Sequence, residues 1–304
     1  MDLDTLNQQH AIADRLRFIE GPGGLPFAEI DNALGTAYLC LQGAHVTTWR
    51  PKDQDAPVVW LSDYARFAPG KSIRGGVPVC WPWFGPHASE PGFPAHGYAR
   101  TSMWTVTTSS TLDDGRTRIV LTLPDSDQTR AQWPHPCRVE LSVTVGASLE
   151  LALTTHNLGD APMQLGEALH TYFQISDIGA VRVTGLNGRV YVDKVDGGAR
   201  KTQTGAVTFG GEVDRVYLDS DDTCVIEDPG LGRRIVVAKR DSRATVLWTP
   251  WRDKADKMGD FGPDGWRRMV CVESANALDD VVTLAPGATH TLWARYHAEA
   301  LPTA

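Results

Sequence analysis

An all-β fold, one large antiparallel β-sandwich with a few short helices, is what this sequence predicts. Three observations carry the prediction. Period-two alternation of apolar and polar residues dominates the chain. Helical periodicity is confined to two short stretches. The 19 Pro and 29 Gly are spread along the whole length, marking turns between many strands rather than one linker. A chain of 304 residues suits one large domain, and residues 1–304 are read as one.

The elements follow in order. Residues 4–16 read as a short helix, and so do 127–133. RIVLTLP (118–124) alternates as a strand. CRVELSVTVGASLELALTTHN (137–157) is a hairpin: Val139, Leu141, Val143 and Val145 alternate with polar partners, Gly146-Ala147-Ser148 turns the chain, and Leu149, Leu151 and Leu153 return on the same pattern. AVRVTGL, RIVVAKR and TVLWTP are further strands, and VVTLAPGATHTLWARYHA (281–298) reads as a last hairpin turned at Pro286-Gly287. No repeat at solenoid or propeller period is present.

Composition excludes several functions. A net charge of −8 argues against a general nucleic-acid surface, so any basic site must be local. The opening MDLDTLNQQH lacks the basic and apolar regions of a secretion signal, and no apolar run approaches a membrane span. The five Cys are scattered and never spaced CxxC, which points to a reducing cytoplasm and not to a disulfide framework. HExxH, P-loop, GxGxxG and GxSxG are all absent, so neither a metal nor a nucleotide cofactor is expected.

What remains is local. SIRGGVPVCWPWFGPHASEPGFPAHGYAR (72–100) gathers aromatics, Arg74, Arg100 and His96 in one Pro/Gly-rich loop. Aromatic faces either pack in a core or stack on sugar rings, and here they are read as a binding wall. Arg forks match phosphate oxygens, and Lys71 could add charge. The Gly pair after Arg74 would let backbone approach a ligand. His170, in an apolar run, is a core histidine or a proton carrier. Glu273 follows the strand-like MVCV. A carboxylate there is either paired with Arg267 or Arg268, or buried with a raised pKa suited to proton transfer. Asp193 is a turn carboxylate or an acceptor for sugar hydroxyls. Nothing favours a metal cluster of His45, His96 and His170.

Five segments in order, SIRGGVPVCWPWFG, PAHGYAR, ALHTYF, YVDKV and VCVESAN, resemble the hexose-6-phosphate mutarotases (glucose-6-phosphate 1-epimerases) of the aldose 1-epimerase superfamily. The resemblance implies a galactose-mutarotase-like supersandwich. It also implies His170 as general acid and Glu273 as general base, Arg74 and Arg100 as substrate and phosphate contacts, Asp193 as a sugar-contacting carboxylate, and His96 at the pocket edge. Some members carry Gln before the His-Gly pair; here the residue is Ala95. The expected activity is anomer interconversion of a hexose 6-phosphate by a monomeric enzyme without cofactor, metal, nucleic-acid partner or membrane. Three rivals stand beside it: a mutarotase for unphosphorylated aldoses, a non-catalytic carbohydrate-binding protein, and a glycoside hydrolase or lyase with Glu167 as second carboxylate.

Overall fold

A computed structural model describes residues 2–302. Two eight-stranded sheets dominate it, with every strand pair antiparallel. The first runs Ala199–Thr202, Val190–Asp193, Val213–Tyr217, Ala244–Thr249, Met269–Asn276, Glu167–Leu169 and Val79–Cys80, with Tyr172–Gln174 also paired to Met269–Asn276. The second runs Arg182–Thr184, Cys224–Asp228, Arg233–Arg240, Thr289–Ala300, Ser148–Asn157, Cys137–Val145, Thr117–Thr122 and Thr105–Thr111. A four-stranded sheet is formed by Leu16–Glu20, Pro26–Asn32, Gly35–Cys40 and His45–Pro51.

The alternation at 137–157 forms the expected hairpin, with Leu141 opposite Leu153 and Val143 opposite Leu151. Their side chains enter one apolar cluster shared by both large sheets. Phe173 of the first sheet meets Tyr296 of the second edge-to-face at 5.0 Å. The polar tips are satisfied between layers: Tyr296 shares a 2.7 Å hydrogen bond with Thr171, and Trp81 Nε1 donates to Thr155 Oγ1 at 3.0 Å.

Three elements differ from the sequence reading. The first helix covers only Leu3–His10. Asp14 then adopts a φ of 58°, the chain turns so that Leu16 bridges Ile12, and Leu16 begins a strand whose Leu16 and Phe18 are buried. The chain does turn near Pro286-Gly287, but the flanking strands do not pair. Val282–Leu284 joins Met163–Leu165, while Thr289–Ala300 lies between Ser148–Asn157 and Arg233–Arg240. Gly287 N–H and Ala288 C=O both bond to Asn157, so the turn is fastened to the neighbouring strand and not closed on itself. A third helix, Trp251–Met258, was not expected. Trp251 has a φ of 56°, no side chain caps the start, and only Ala255 is buried, so neither a cap nor an apolar stripe marks it.

Register positions the site. In the first sheet Asp214 lies opposite Trp248, Trp248 opposite Cys271, and Cys271 opposite Tyr172. One step along, Val216 faces Val246 and Val246 faces Glu273. Directly opposed residues share a face. This face therefore carries Asp214, Trp248, Tyr172 and Glu273, while Leu247 and Val272 point the other way into the core. Glycine matters at position 97: its φ is +72°, and a Cβ there would lie 1.9 Å from the Trp81 carbonyl oxygen.

That contact predicts a contrast. Gly188 also has positive φ (+80°) but open space around it. Gly188→Ala should cost about 1–2 kcal/mol, the penalty of left-handed backbone alone. Gly97→Ala should cost more, read as a larger shift in the denaturation midpoint. Equal shifts would show that the loop around Trp81 yields freely.

Candidate active site

A cavity of about 420 Å³ opens on this face. His170 lies between Glu167–Leu169 and Tyr172–Gln174, its backbone N–H bonded to the Pro78 carbonyl at 3.0 Å. Its ring stacks on Tyr172 at 5.0 Å with planes 8° apart, and meets Trp248 edge-on at 5.9 Å. His170 Nδ1 approaches Glu273 Oε1 at 3.3 Å, with the His170 side chain 12% exposed and Glu273 1%. The approach lacks hydrogen-bond alignment, so His170 Nδ1 has no protein partner, and the other carboxylate oxygen, Glu273 Oε2, is likewise buried without one. Burial pushes the Glu273 carboxyl well above its usual range, and Asp214 adds to the rise. Burial likewise pushes His170 well below its usual range, reinforced by His96, Arg100 and Arg74.

His96 adjoins this pair, its ring 5.9 Å from that of His170. Its Nδ1 accepts the Gly85 N–H at 3.3 Å, which leaves Nε2 as the nitrogen able to donate. Burial, Arg100 and Lys194 depress its pKa to about 3, so the imidazole is a neutral donor. Arg74 donates to Asp260 at 3.0 Å and to the Tyr172 hydroxyl at 2.8 Å. Arg100 donates to the Ala95 carbonyl at 2.8 Å.

The structure brings five of the six sequence-nominated residues to the cavity: Arg74, His96, Arg100, His170 and Glu273. Asp193 is not among the lining residues. It ends a strand, accepting from Lys201 at 2.8 Å and from the Val195 N–H at 3.2 Å, as a turn carboxylate does. The carboxylate that lines the cavity with Glu273 is Asp214, whose backbone carbonyl accepts the Lys194 N–H at 2.8 Å. Asp214 sits in the alternating VDRVY, and an acidic residue inside a strand was the missed signal.

The WPWFG wall is also corrected. Trp81 is core, Trp83 packs on Phe93 and His87, and only Phe84 lines the cavity. Tyr172 and Trp248 supply the other aromatic faces. Gly75 and Gly76 approach protein and not ligand: a Cβ at Gly76 would lie 2.2 Å from His45 Nε2. His45 is buried against the Gly75 carbonyl at 2.8 Å and does not line the cavity. Lys71 is exposed and outside it. Arg267 and Arg268 pair with Asp177 and Asp63, leaving Glu273 to His170. Glu167 is fully buried against His290 at 3.2 Å, away from the cavity.

A sandwich presenting a buried carboxylate–imidazole pair in a cavity with aromatic walls is a frame for acid–base chemistry on a polar ring. Residues 27–297 match the family model described as aldose 1-epimerase. The chain belongs to the aldose 1-epimerase family, and it is an isomerase of the mutarotase type. It is 40% identical over 249 residues to an Escherichia coli (strain K12) protein, with 82% of each chain covered, and 35% identical over 279 residues to one from Cenchrus ciliaris, with 88% of this chain and 83% of that one covered. Both bear the name "Putative glucose-6-phosphate 1-epimerase". The crystal structure of a Salmonella typhimurium protein described as a "putative mutarotase" superposes with a TM-score of 0.89 at 32% identity, covering 96% of both chains.

His170, Cys271 and Glu273 each bring a donor atom within 4.8 Å of the others. A cation drawn there would occupy the imidazole and the carboxylate together. Excess Zn²⁺ should therefore inhibit anomerisation, and chelation should leave the metal-free rate unchanged. A rate lost to chelator and restored by a divalent ion would contradict this.

Proposed function

We propose that the protein is a hexose-6-phosphate 1-epimerase, interconverting α and β anomers by opening and closing the sugar ring. The observation that carries the reading is the buried Glu273–His170 pair in a cavity also lined by Arg74, Arg100, Lys194 and Lys254. Relatives named for glucose 6-phosphate support the phosphorylated substrate.

Ring opening moves two protons in opposite directions. Glu273 takes the proton of the anomeric hydroxyl, the C1–O5 bond breaks as C1=O forms, and His170 delivers a proton to O5. The aldehyde rotates about C1–C2. The roles then reverse, and O5 closes on the other face of C1. Glu273 and His170 thus need one proton between them at the start and hold one at the end. The chemistry is balanced without a redox carrier. Five free cysteines support a reducing, cytoplasmic setting.

His170→Asn and Glu273→Gln should each slow anomer exchange on glucose 6-phosphate by about 100-fold or more, the scale of lost general acid–base catalysis. Exchange spectroscopy by NMR reads this directly. Near-normal turnover in either variant would remove that residue from the reaction.

The pH profile tests the pair as a unit. The active form holds one proton. A second proton must go onto an imidazole held below its ordinary 6.5, and the last must leave a carboxyl held above its ordinary 4.5. The rate should fall at both extremes, the acid limb lying below pH 6.5 and both limbs belonging to the coupled pair. A profile with a single limb would mean that one group alone carries the reaction.

A further inference from the structure

The two chain segments that carry the acid–base pair form one ladder with a single register. Glu167 lies opposite Asn276, Ala168 opposite Ala275 and Leu169 opposite Ser274. Beyond a gap the same register resumes, with Tyr172 opposite Cys271, Phe173 opposite Val270 and Gln174 opposite Met269. Continued through the gap, it sets His170 opposite Glu273. The acid–base pair is therefore an open rung of the ladder. The His170 N–H turns to the Pro78 carbonyl and the Thr171 N–H to that of Leu169. The separation of the pair must be fixed from the rungs on either side.

One strand of the second sheet, Thr289–Ala300, grips the ladder at both ends of the gap, on the face away from the cavity. At one end Tyr296 shares a 2.7 Å hydrogen bond with Thr171 and packs on Phe173. At the other, His290 Nε2 lies 3.1 Å from Asn276 Oδ1 and 3.2 Å from Glu167 Oε1. Asn276 Nδ2 is committed to Asp280 Oδ2 at 2.8 Å and to the Asp241 carbonyl at 3.1 Å. Its oxygen therefore faces His290, and His290 Nε2 is the donor. Glu167 is fully buried, and neither of its oxygens makes an aligned hydrogen bond to protein. Among the described residues, His290 is its ion-pair partner. Burial opposes a charge on His290, but Glu167, helped by Asp241 and Asp280, outweighs it and holds the imidazole above its ordinary 6.5.

We propose that His290 is a positioning residue for the reaction: by binding both members of the Glu167–Asn276 rung it fixes the separation of the two segments, and so of His170 and Glu273 on the other face. This rests on the reading of His170 and Glu273 as the acid–base pair, and not on which sugar is bound. Glu167 precedes His170 on its segment, and Asn276 follows Glu273 by the same interval on the other. None of Glu167, Asn276 and His290 lines the cavity, so their effect reaches the chemistry through the pair and not through substrate contacts.

The test compares kcat, KM and melting temperature for anomer exchange in wild type, His290→Gln, His290→Asn and Glu167→Leu/His290→Leu. Gln carries its amide nitrogen close to the place of the His Nε2, whereas Asn is too short to reach it. His290→Gln should keep kcat within about threefold of wild type, and His290→Asn should lose about 10- to 100-fold, the scale of a misplaced catalytic group. The double variant removes both buried charges together, which spares stability compared with leaving Glu167 alone. Its kcat should fall as far as that of His290→Asn. KM should stay within about threefold throughout, as for an interaction felt only in the transition state. Glucose 6-phosphate and glucose should be affected alike. A folded double variant with wild-type kcat would overturn the proposal, as would a lowered melting temperature with kcat unchanged in His290→Asn. If the double variant does not fold, equal kcat in His290→Gln and His290→Asn overturns it. Glu273→Gln, run beside them, separates the two readings. If it keeps its turnover, the acid–base pair falls and the role of His290 with it. If it loses turnover while His290→Asn keeps it, the role of His290 alone is wrong.

Discussion

Burial of Glu273 is the constraint on which the site depends. A carboxylate taken out of water without hydrogen bonds costs several kcal/mol, and this one is 1% exposed with Oε2 lacking a protein partner. The fold tolerates it because the opposite form is also disfavoured next door. His170 resists becoming imidazolium for the same reason that Glu273 resists becoming carboxylate. The pair settles on one shared proton. Whether that proton is on Glu273 or on His170, the charges of the two sum to zero. A reaction that takes one proton and gives one back asks for this property, because the site need not exchange protons with solvent in mid-turnover.

Such a balance holds only if the two groups cannot drift apart, and sheet register secures that. Glu273 is fixed opposite Val246, and Tyr172 opposite Cys271 on the other side of the same strand. His170 is held where the chain steps from one short strand to the next and lies on the Tyr172 ring. A one-residue slip would send Glu273 into the core and bring Val272 to the cavity. The Met269–Asn276 strand is buried along its whole length, so both faces resist that slip: apolar packing on one, the site on the other.

The alternation that predicts the sandwich is legible because each strand keeps one face in a common core. Partner choice is not. Val282–Leu284 and Thr289–Ala300 look like a hairpin in sequence, but the first pairs with Met163–Leu165 and the second with Ser148–Asn157, and the turn between them is fastened to Asn157. The site shows the same division. His170, Glu273, Arg74, Arg100 and His96 stand in recognisable segments, and all five line the cavity. Asp193 stands in YVDKV, yet its neighbour Lys194 and the strand residue Asp214 are the ones that reach the cavity. Which of two adjacent residues in a turn faces a cavity depends on backbone direction after the strand, and no spacing rule encodes it. The aromatic wall was misread for a related reason. Trp81 finds a hydrogen-bond partner in the second sheet, which makes it core, while Trp248 enters the site by register from a strand that looked unremarkable.

The groups that would perform the chemistry and those that would choose the substrate come from different parts of the fold. Glu273, Asp214, Tyr172 and Trp248 lie on paired strands, where main-chain hydrogen bonds leave little room for change. Lys194, His96, Ala95 and Arg74 lie in turns and loops around the rim, and Arg100 in the short 3-10 turn Ala99–Thr101. Loops tolerate substitution and insertion far better than a central strand does. Ring opening could thus stay constant while the rim is rewritten for sugars with or without a phosphate.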